Sequence, residues 1–155
     1  MRVGIGYDIH RLVNKRPLVL GGVKIPYHKG LMGHSDADVL VHAIIDALLG
    51  AIGDGDIGHH FPSSKPAYRG ISSLALLKRV GDRVEEDGFA IANIDTTVIA
   101  EQPNLNLFKT AMAQTIARTL ELPENAVNIK AHTNEGLDAV GRGEAMAAHA
   151  VVLVE

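Results

Sequence analysis

The chain has 155 residues, 46% of them hydrophobic, which is enough for one domain with a substantial core. It has no cysteine, which excludes disulfides, thiolate metal sites and cysteine nucleophiles, and no tryptophan, so the core is aliphatic. A formal net charge of −3 argues against a nucleic-acid or anionic-membrane partner held by a broad basic surface, and no apolar run reaches transmembrane length.

The chain enters a strand at once. Val3, Ile5, Tyr7 and Ile9 alternate with Gly4, Gly6, Asp8 and His10. That leaves no room for a signal peptide, so a cytoplasmic protein is expected. Asp8 and His10, two apart on a strand, project the same way. The Gly/Asp/His face is poor material for a core and is expected to meet a ligand or a neighbouring chain. Gly4-x-Gly6 resembles a truncated dinucleotide fingerprint but fails it, because Ile9 stands at the third glycine position and no helix follows. Residues 17–20 and 23–25 are short apolar pieces split by Gly21-Gly22, a hairpin signal. Residues 26–33 read as a loop.

From Asp38 the sequence VLVHAIIDALLGAI reads as a helix that is apolar almost all round, and therefore buried. Asp38, His42 and Asp46, spaced by four, form its one polar stripe. Ser35 or Asp36 suits the N-cap, and Ser35 with Asp38 fits a capping box. His42 with Asp8 and His10 supplies one carboxylate and two imidazoles. Three such ligands and one open position suit a catalytic zinc site; a core histidine bonded to Asp46 is the plainer alternative. His34-Ser35 ahead of the helix offers a phosphate site, although an ordinary cap accounts for Ser35 equally well.

Residues 53–66 form a long loop dense in Gly, Pro, Asp and Ser. In it Asp56-Ile57-Gly58 suits either a ribose diol or a surface turn, and His59-His60 reads as loop packing because adjacent side chains diverge. Residues 71–87 form an amphipathic helix, capped by Ser72 or Ser73 and stopped at Gly88. A strand rich in β-branched residues follows over 89–100, then a helix over 107–120, a strand over 127–133 and an apolar strand over 148–154. Thr133-Asn134-Glu135 is either a plain turn or a hydroxyl for phosphate with a carboxylate for a hard metal. The order predicts an α+β single domain: a mixed sheet with helices on one face and a small hairpin.

The segments GYDIHRL, GHSDADVLVHAIIDALLGA, GDIGHHFP, AEQPNLNLF, KAHTNEGL and GRGE, in this order, resemble the 2-C-methyl-D-erythritol 2,4-cyclodiphosphate synthase family over essentially the whole chain. The resemblance implies a homotrimer with active sites between subunits. The reaction it implies closes a cytidine diphosphate-linked substrate into a cyclic diphosphate with release of CMP, in non-mevalonate isoprenoid synthesis. It implies Zn²⁺ on Asp8, His10 and His42, and Mg²⁺ or Mn²⁺ on Glu135. His34 and Thr133 take the positions that stabilise the transition state. Substrate contacts fall on Asp8, Ile9, His10, His34 and Ser35, on Asp56, Ile57 and Gly58, and on Phe61, Pro62, Ser63, Ser64 and Lys65. They continue over Ala100, Glu101, Gln102, Pro103, Asn104, Leu105 and Asn106 around the cytosine, then His132, Thr133, Asn134, Glu135, Ala139 and Arg142. The chain departs from the family pattern at Ser63-Ser64-Lys65, Asn104, His132 and Asp138-Ala139-Val140. Two other activities suit the same ligands: a zinc-dependent phosphodiester hydrolase, and a non-catalytic oligomer held by metal. Asp46 is expected to orient His42.

Overall fold

The computed structural model describes residues 1–155 and is built around strand β1 (Arg2–Asn14) and the helix packed across it, α1 (Val39–Ile52). The apolar residues of α1 are buried on all sides, as its composition requires. Its N-cap is Asp38, in place of the expected Ser35 or Asp36. The Asp38 carboxylate accepts from Val41 N (3.1 Å), and also from Gly21 N (2.9 Å) and Gly22 N (2.7 Å). One carboxylate therefore caps the helix and holds a hairpin turn. Burial pushes this group up to about 6, the Gly22, Val41 and Gly21 N–H groups pull it back, and nearby Asp36 adds to the rise.

That hairpin is β2 (Leu18–Leu20) and β3 (Val23–Ile25), with φ of 56° at Gly21 and 73° at Gly22. Positive φ at both turn residues is the hairpin geometry expected from Gly-Gly. The stretch 26–33, expected to be a loop, contains a further strand, β4 (Lys29–Leu31), paired antiparallel with the far end of β1. Three residues carry no readable alternation; β1 imposes the strand. Within 53–66, expected to be a loop, lies the short helix α2 (Ile57–His60), capped by Asp56, which accepts from His59 N at 2.8 Å.

The main sheet has the order β4-β1-β7-β5-β6, where β5 is Ile91–Ile99, β6 is Val127–His132 and β7 is Ala145–Val154. β5 and β6 run parallel and the other neighbours antiparallel, so the sheet is mixed. α3 (Ser73–Glu86) packs on α1, and α4 (Lys109–Thr119) packs on β6 and α3. A last helical turn, α5 (Asp138–Gly141), precedes β7.

The glycine face of β1 is the core face, contrary to the expectation that it lies outside a core. A Cβ on Gly4 would fall on the Ala47 carbonyl oxygen, and one on Gly6 on that of Ala43. Lacking side chains there, the strand lets the α1 backbone rest directly on it. Between its exposed ends, Arg2 and Asn14, this face is partly open to solvent at Asp8 and His10. The face left uncovered is the apolar one, with Val3 66%, Ile5 72%, Tyr7 50% and Ile9 45% exposed.

Candidate active site

The close seating of α1 brings His42, in its first turn, over Asp8 and His10. Asp8 Oδ2 lies 2.9 Å from His10 Nε2 and 3.0 Å from His42 Nδ1, and the two imidazole nitrogens are 3.3 Å apart. These are the atoms a shared cation would take. His10 Nδ1 donates to the Met32 carbonyl at 2.7 Å. A carbonyl only accepts, so Nδ1 carries a hydrogen and Nε2 is the nitrogen turned toward Asp8. His42 is held on its other nitrogen: Nε2 lies 2.8 Å from Ser73 Oγ and 3.2 Å from Ser35 Oγ.

The electrostatics follow from that crowding. Burial pushes the Asp8 carboxyl up, but hydrogen bonds and charge from His10 and His42 outweigh it and hold the group well below the usual carboxylate range. Burial pushes His10 down, and Asp8 more than reverses this, leaving His10 raised. Asp8 Oδ2, His10 Nε2 and His42 Nδ1, about 3 Å from one another, are satisfied either by a proton on an imidazole or by a cation shared among them. One carboxylate and two imidazoles with an open side fit a divalent metal ion.

Asp46 does not orient His42 as expected. Its Oδ1 accepts from Ile57 N at 2.8 Å, tying the start of α2 to α1. The spacing of four brought it to the correct side of the helix, yet the unpaired N–H groups of α2 claimed it. Burial raises its carboxyl above the ordinary value, against the pull of the Ile57 N–H.

Asp8, His10 and His42 line a cavity of about 280 Å³ together with His34, Ser35, Ile57, Gly58, Phe61 and Ser63. Tyr7, Asp46, Tyr68, Ile71 and Leu76 complete its wall. Of the expected contacts, Asp56, Pro62, Ser64 and Lys65 do not line it; Asp56 spends its carboxylate on capping α2. His60 Nε2 donates to the Asp54 carbonyl at 2.7 Å, and the His59-His60 pair stands outside the metal-ligating group.

A second cavity, of similar volume at about 280 Å³, is lined by Ala100, Glu101, Gln102, Pro103, Asn104, Leu105 and Asn106, with Ala131, His132 and Thr133. Thr133 Oγ1 donates to Glu135 Oε1 at 2.9 Å, and Glu101 Oε1 accepts from Asn134 N at 2.6 Å. Glu135 has φ of 51° and stands outside the Asp8, His10 and His42 group. Arg142 is engaged by Glu144, with Nε donating to Oε1 at 2.9 Å. Many of the expected site residues thus fall into two clusters within one chain, one around His42 and one around Thr133, while Ile9, Ala139 and Arg142 line neither cavity.

Sequence reasoning missed Asp36, Ser73 and Arg16. Arg16 donates to the carbonyls of Gly33 (3.3 Å) and Ser35 (3.1 Å), bracketing His34. Ser73 carried a signal only as a helix cap, and nothing local to Arg16 marks it.

A family model described as the YgbB family matches residues 1–155. A protein from Desulfosudis oleivorans named 2-C-methyl-D-erythritol 2,4-cyclodiphosphate synthase is 59% identical, over 99% of this chain and 92% of its own length. One of the same name from Desulfatibacillum aliphaticivorans is 55% identical over the whole of both chains. Among solved structures, a 2C-methyl-D-erythritol-2,4-cyclodiphosphate synthase in a CDP-bound form superposes with a TM-score of 0.92. It is 37% identical, over 99% of this chain and 100% of that one. The bifunctional IspDF of Campylobacter jejuni superposes with a TM-score of 0.95 at 45% identity; the match covers 99% of this chain and 42% of that one.

Proposed function

The chain belongs to the YgbB family of 2-C-methyl-D-erythritol 2,4-cyclodiphosphate synthases, and from that premise we propose how its own residues carry out the cyclisation. The activity is that of a CMP-releasing lyase of isoprenoid biosynthesis. It closes 4-diphosphocytidyl-2-C-methyl-D-erythritol 2-phosphate into 2-C-methyl-D-erythritol 2,4-cyclodiphosphate. The observation that carries the mechanism is the convergence of Asp8 Oδ2, His10 Nε2 and His42 Nδ1 on a cavity that also takes His34 and Ser35.

In this reading the substrate's 2-phosphate attacks the β-phosphorus of its own diphosphate, and the bond to CMP breaks. The protein then needs no nucleophile of its own. Its task is to fold the substrate until the reacting atoms meet, and orientation of this kind is worth about 7–11 kcal/mol. Asp8, His10 and His42 hold Zn²⁺, and Glu135 holds Mg²⁺ or Mn²⁺. When bound, these ions supply Lewis acidity and neutralise converging phosphates. His34, bracketed by the Arg16 bonds, and Thr133 donate to oxygens on which charge develops. Residues 56–58, the cap and start of α2, receive the ribose, supported by Asp46, and the 100–106 pocket receives the cytosine, as suits a family with CDP-bound relatives.

The assembly is a cytoplasmic homotrimer in which the His42 cluster of one subunit faces the Thr133 cluster of the next. Two features support this: the exposed apolar row on β1, and the division of the expected site between two cavities. Product analysis by ³¹P NMR tests the chemistry. The full substrate gives the cyclic diphosphate and CMP, whereas the substrate lacking the 2-phosphate binds and releases no CMP. A linear hydrolysed product, or equal CMP release from both, makes the protein a hydrolase.

A further inference from the structure

We infer that Asp36 and Ser73 are positioning residues that fix the ring of His42 for metal binding, through a carboxylate–hydroxyl–imidazole relay. The inference rests on the metal reading of Asp8, His10 and His42 given above.

Ser73 is fully buried at the first position of α3, and its hydroxyl has a single hydrogen to give. That hydrogen goes to Asp36 Oδ1. Asp36 Oδ2 accepts the Ser73 backbone N–H at 2.9 Å, and Oδ1 also accepts from Asp38 N at 3.2 Å. With its hydrogen committed, Ser73 Oγ meets His42 Nε2 at 2.8 Å as an acceptor. Nε2 must then carry a hydrogen, and Nδ1 is the atom left to face Asp8 Oδ2 and His10 Nε2. The relay sets both the tautomer and the plane of the ring.

The two imidazoles are therefore prepared by different means. His10 leans on a backbone carbonyl, that of Met32, and is set by β1 and the chain beside it. His42 leans chiefly on Ser73, delivered by another helix, with Ser35 Oγ a longer contact of the same nitrogen at 3.2 Å. Two backbone bonds join the segments involved: Gly70 N donates to the His34 carbonyl (2.8 Å), and Asp36 N donates to the Ile71 carbonyl (3.1 Å). This clasp fastens residues 34–36 to residues 70–73. A shift of α3 would thus move His34 and release His42 together. Metal ligands commonly pass their second nitrogen to such a partner, and losing it weakens metal binding about 10–100-fold.

A capping role alone would leave the metal indifferent to the hydroxyl, because Asp36 caps α3 through the Ser73 N–H. Ser73→Ala separates the two roles: it keeps that N–H and removes only Oγ. The experiment is zinc affinity by chelator competition, the visible spectrum of the Co²⁺ form, and the melting of metal-stripped protein. Ser73→Ala is expected to lose about 10–100-fold in zinc affinity and to alter the Co²⁺ spectrum, with the metal-free melting point held. Ser73→Thr is expected to restore both metal readouts. Asp36→Asn is expected to weaken zinc as well, since one of its two acceptors becomes a donor. Wild-type zinc affinity in Ser73→Ala overturns the relay. So does an unfolded Ser73→Ala, or an equal loss in Ser73→Thr, either of which assigns Ser73 to packing. Wild-type affinity in Asp36→Asn removes Asp36 from it. If wild-type protein itself takes up no zinc, or His42→Ala keeps it, the metal reading fails instead, and the two failures are told apart.

Discussion

The two faces of β1 come from one alternating run and meet opposite fates. Val3, Ile5, Tyr7 and Ile9 are the hydrophobic choice for an interior, yet they are exposed; Gly4 and Gly6 have no side chains, yet they are buried. What decides is the distance at which α1 can settle. With hydrogen in place of Cβ, the carbonyls of Ala43 and Ala47 reach the strand, and that approach puts His42 within 3.0 Å of Asp8. The closely packed face sets the chemistry, and the apolar face stays uncovered within the chain. Burial here follows backbone approach rather than hydrophobicity.

The comparison breaks most severely at Gly6. Gly6→Val drives a branched side chain into the Ala43 carbonyl, so α1 must lift or the chain must fail to fold. A loss of about 3 kcal/mol, the upper end of the usual cost of overpacking, is expected in urea denaturation, with zinc uptake lost along with it. Unchanged stability would mean that the glycine face does not seat the helix. His42→Ala removes a ligand while sparing the apolar packing of α1. Its zinc content should fall far below one per chain and CMP release should be lost, with circular dichroism preserved; full zinc stoichiometry refutes the ligand assignment.

Glu135→Gln acts on the other cluster. It should remove most turnover while zinc stays at wild-type stoichiometry, and zinc loss would contradict the division into two clusters. The smallest effect is expected from Asp46→Asn, which weakens the bond to Ile57 N without touching His42. A loss of about 1 kcal/mol and a raised KM, at unchanged zinc affinity, would fit its place under α2. A large drop in zinc affinity would return Asp46 to the role its spacing suggested.

Much of this was legible locally. Alternation put Asp8 and His10 on one face, and the apolar run around His42 announced a buried helix whose polar residue needed a partner. Gly21-Gly22 specified its own turn. What was illegible depended on docking. Alternation distinguishes two faces of a strand without saying which one a helix will cover, so the glycine face was misjudged. β4 exists because β1 extends past His10 to Asn14 and offers it an edge. Ser73 looked like one more cap residue, because its bond to His42 spans 31 positions and exists only once α3 lies against α1. Asp46 was misread because helical spacing gives the side of the helix and not which N–H the carboxylate finds.

The two-face account is tested most directly by one variant on the exposed face, Ile5→Asp, followed by light scattering, zinc content and CMP release on the same sample. Wild-type protein should scatter as about three copies of the 16.5 kDa chain. The variant should scatter as a single folded chain that still binds zinc through Asp8, His10 and His42, and should release no CMP because the Thr133 cluster of a second subunit is missing. A monomeric Ile5→Asp protein that cyclises substrate at the wild-type rate would contradict the account.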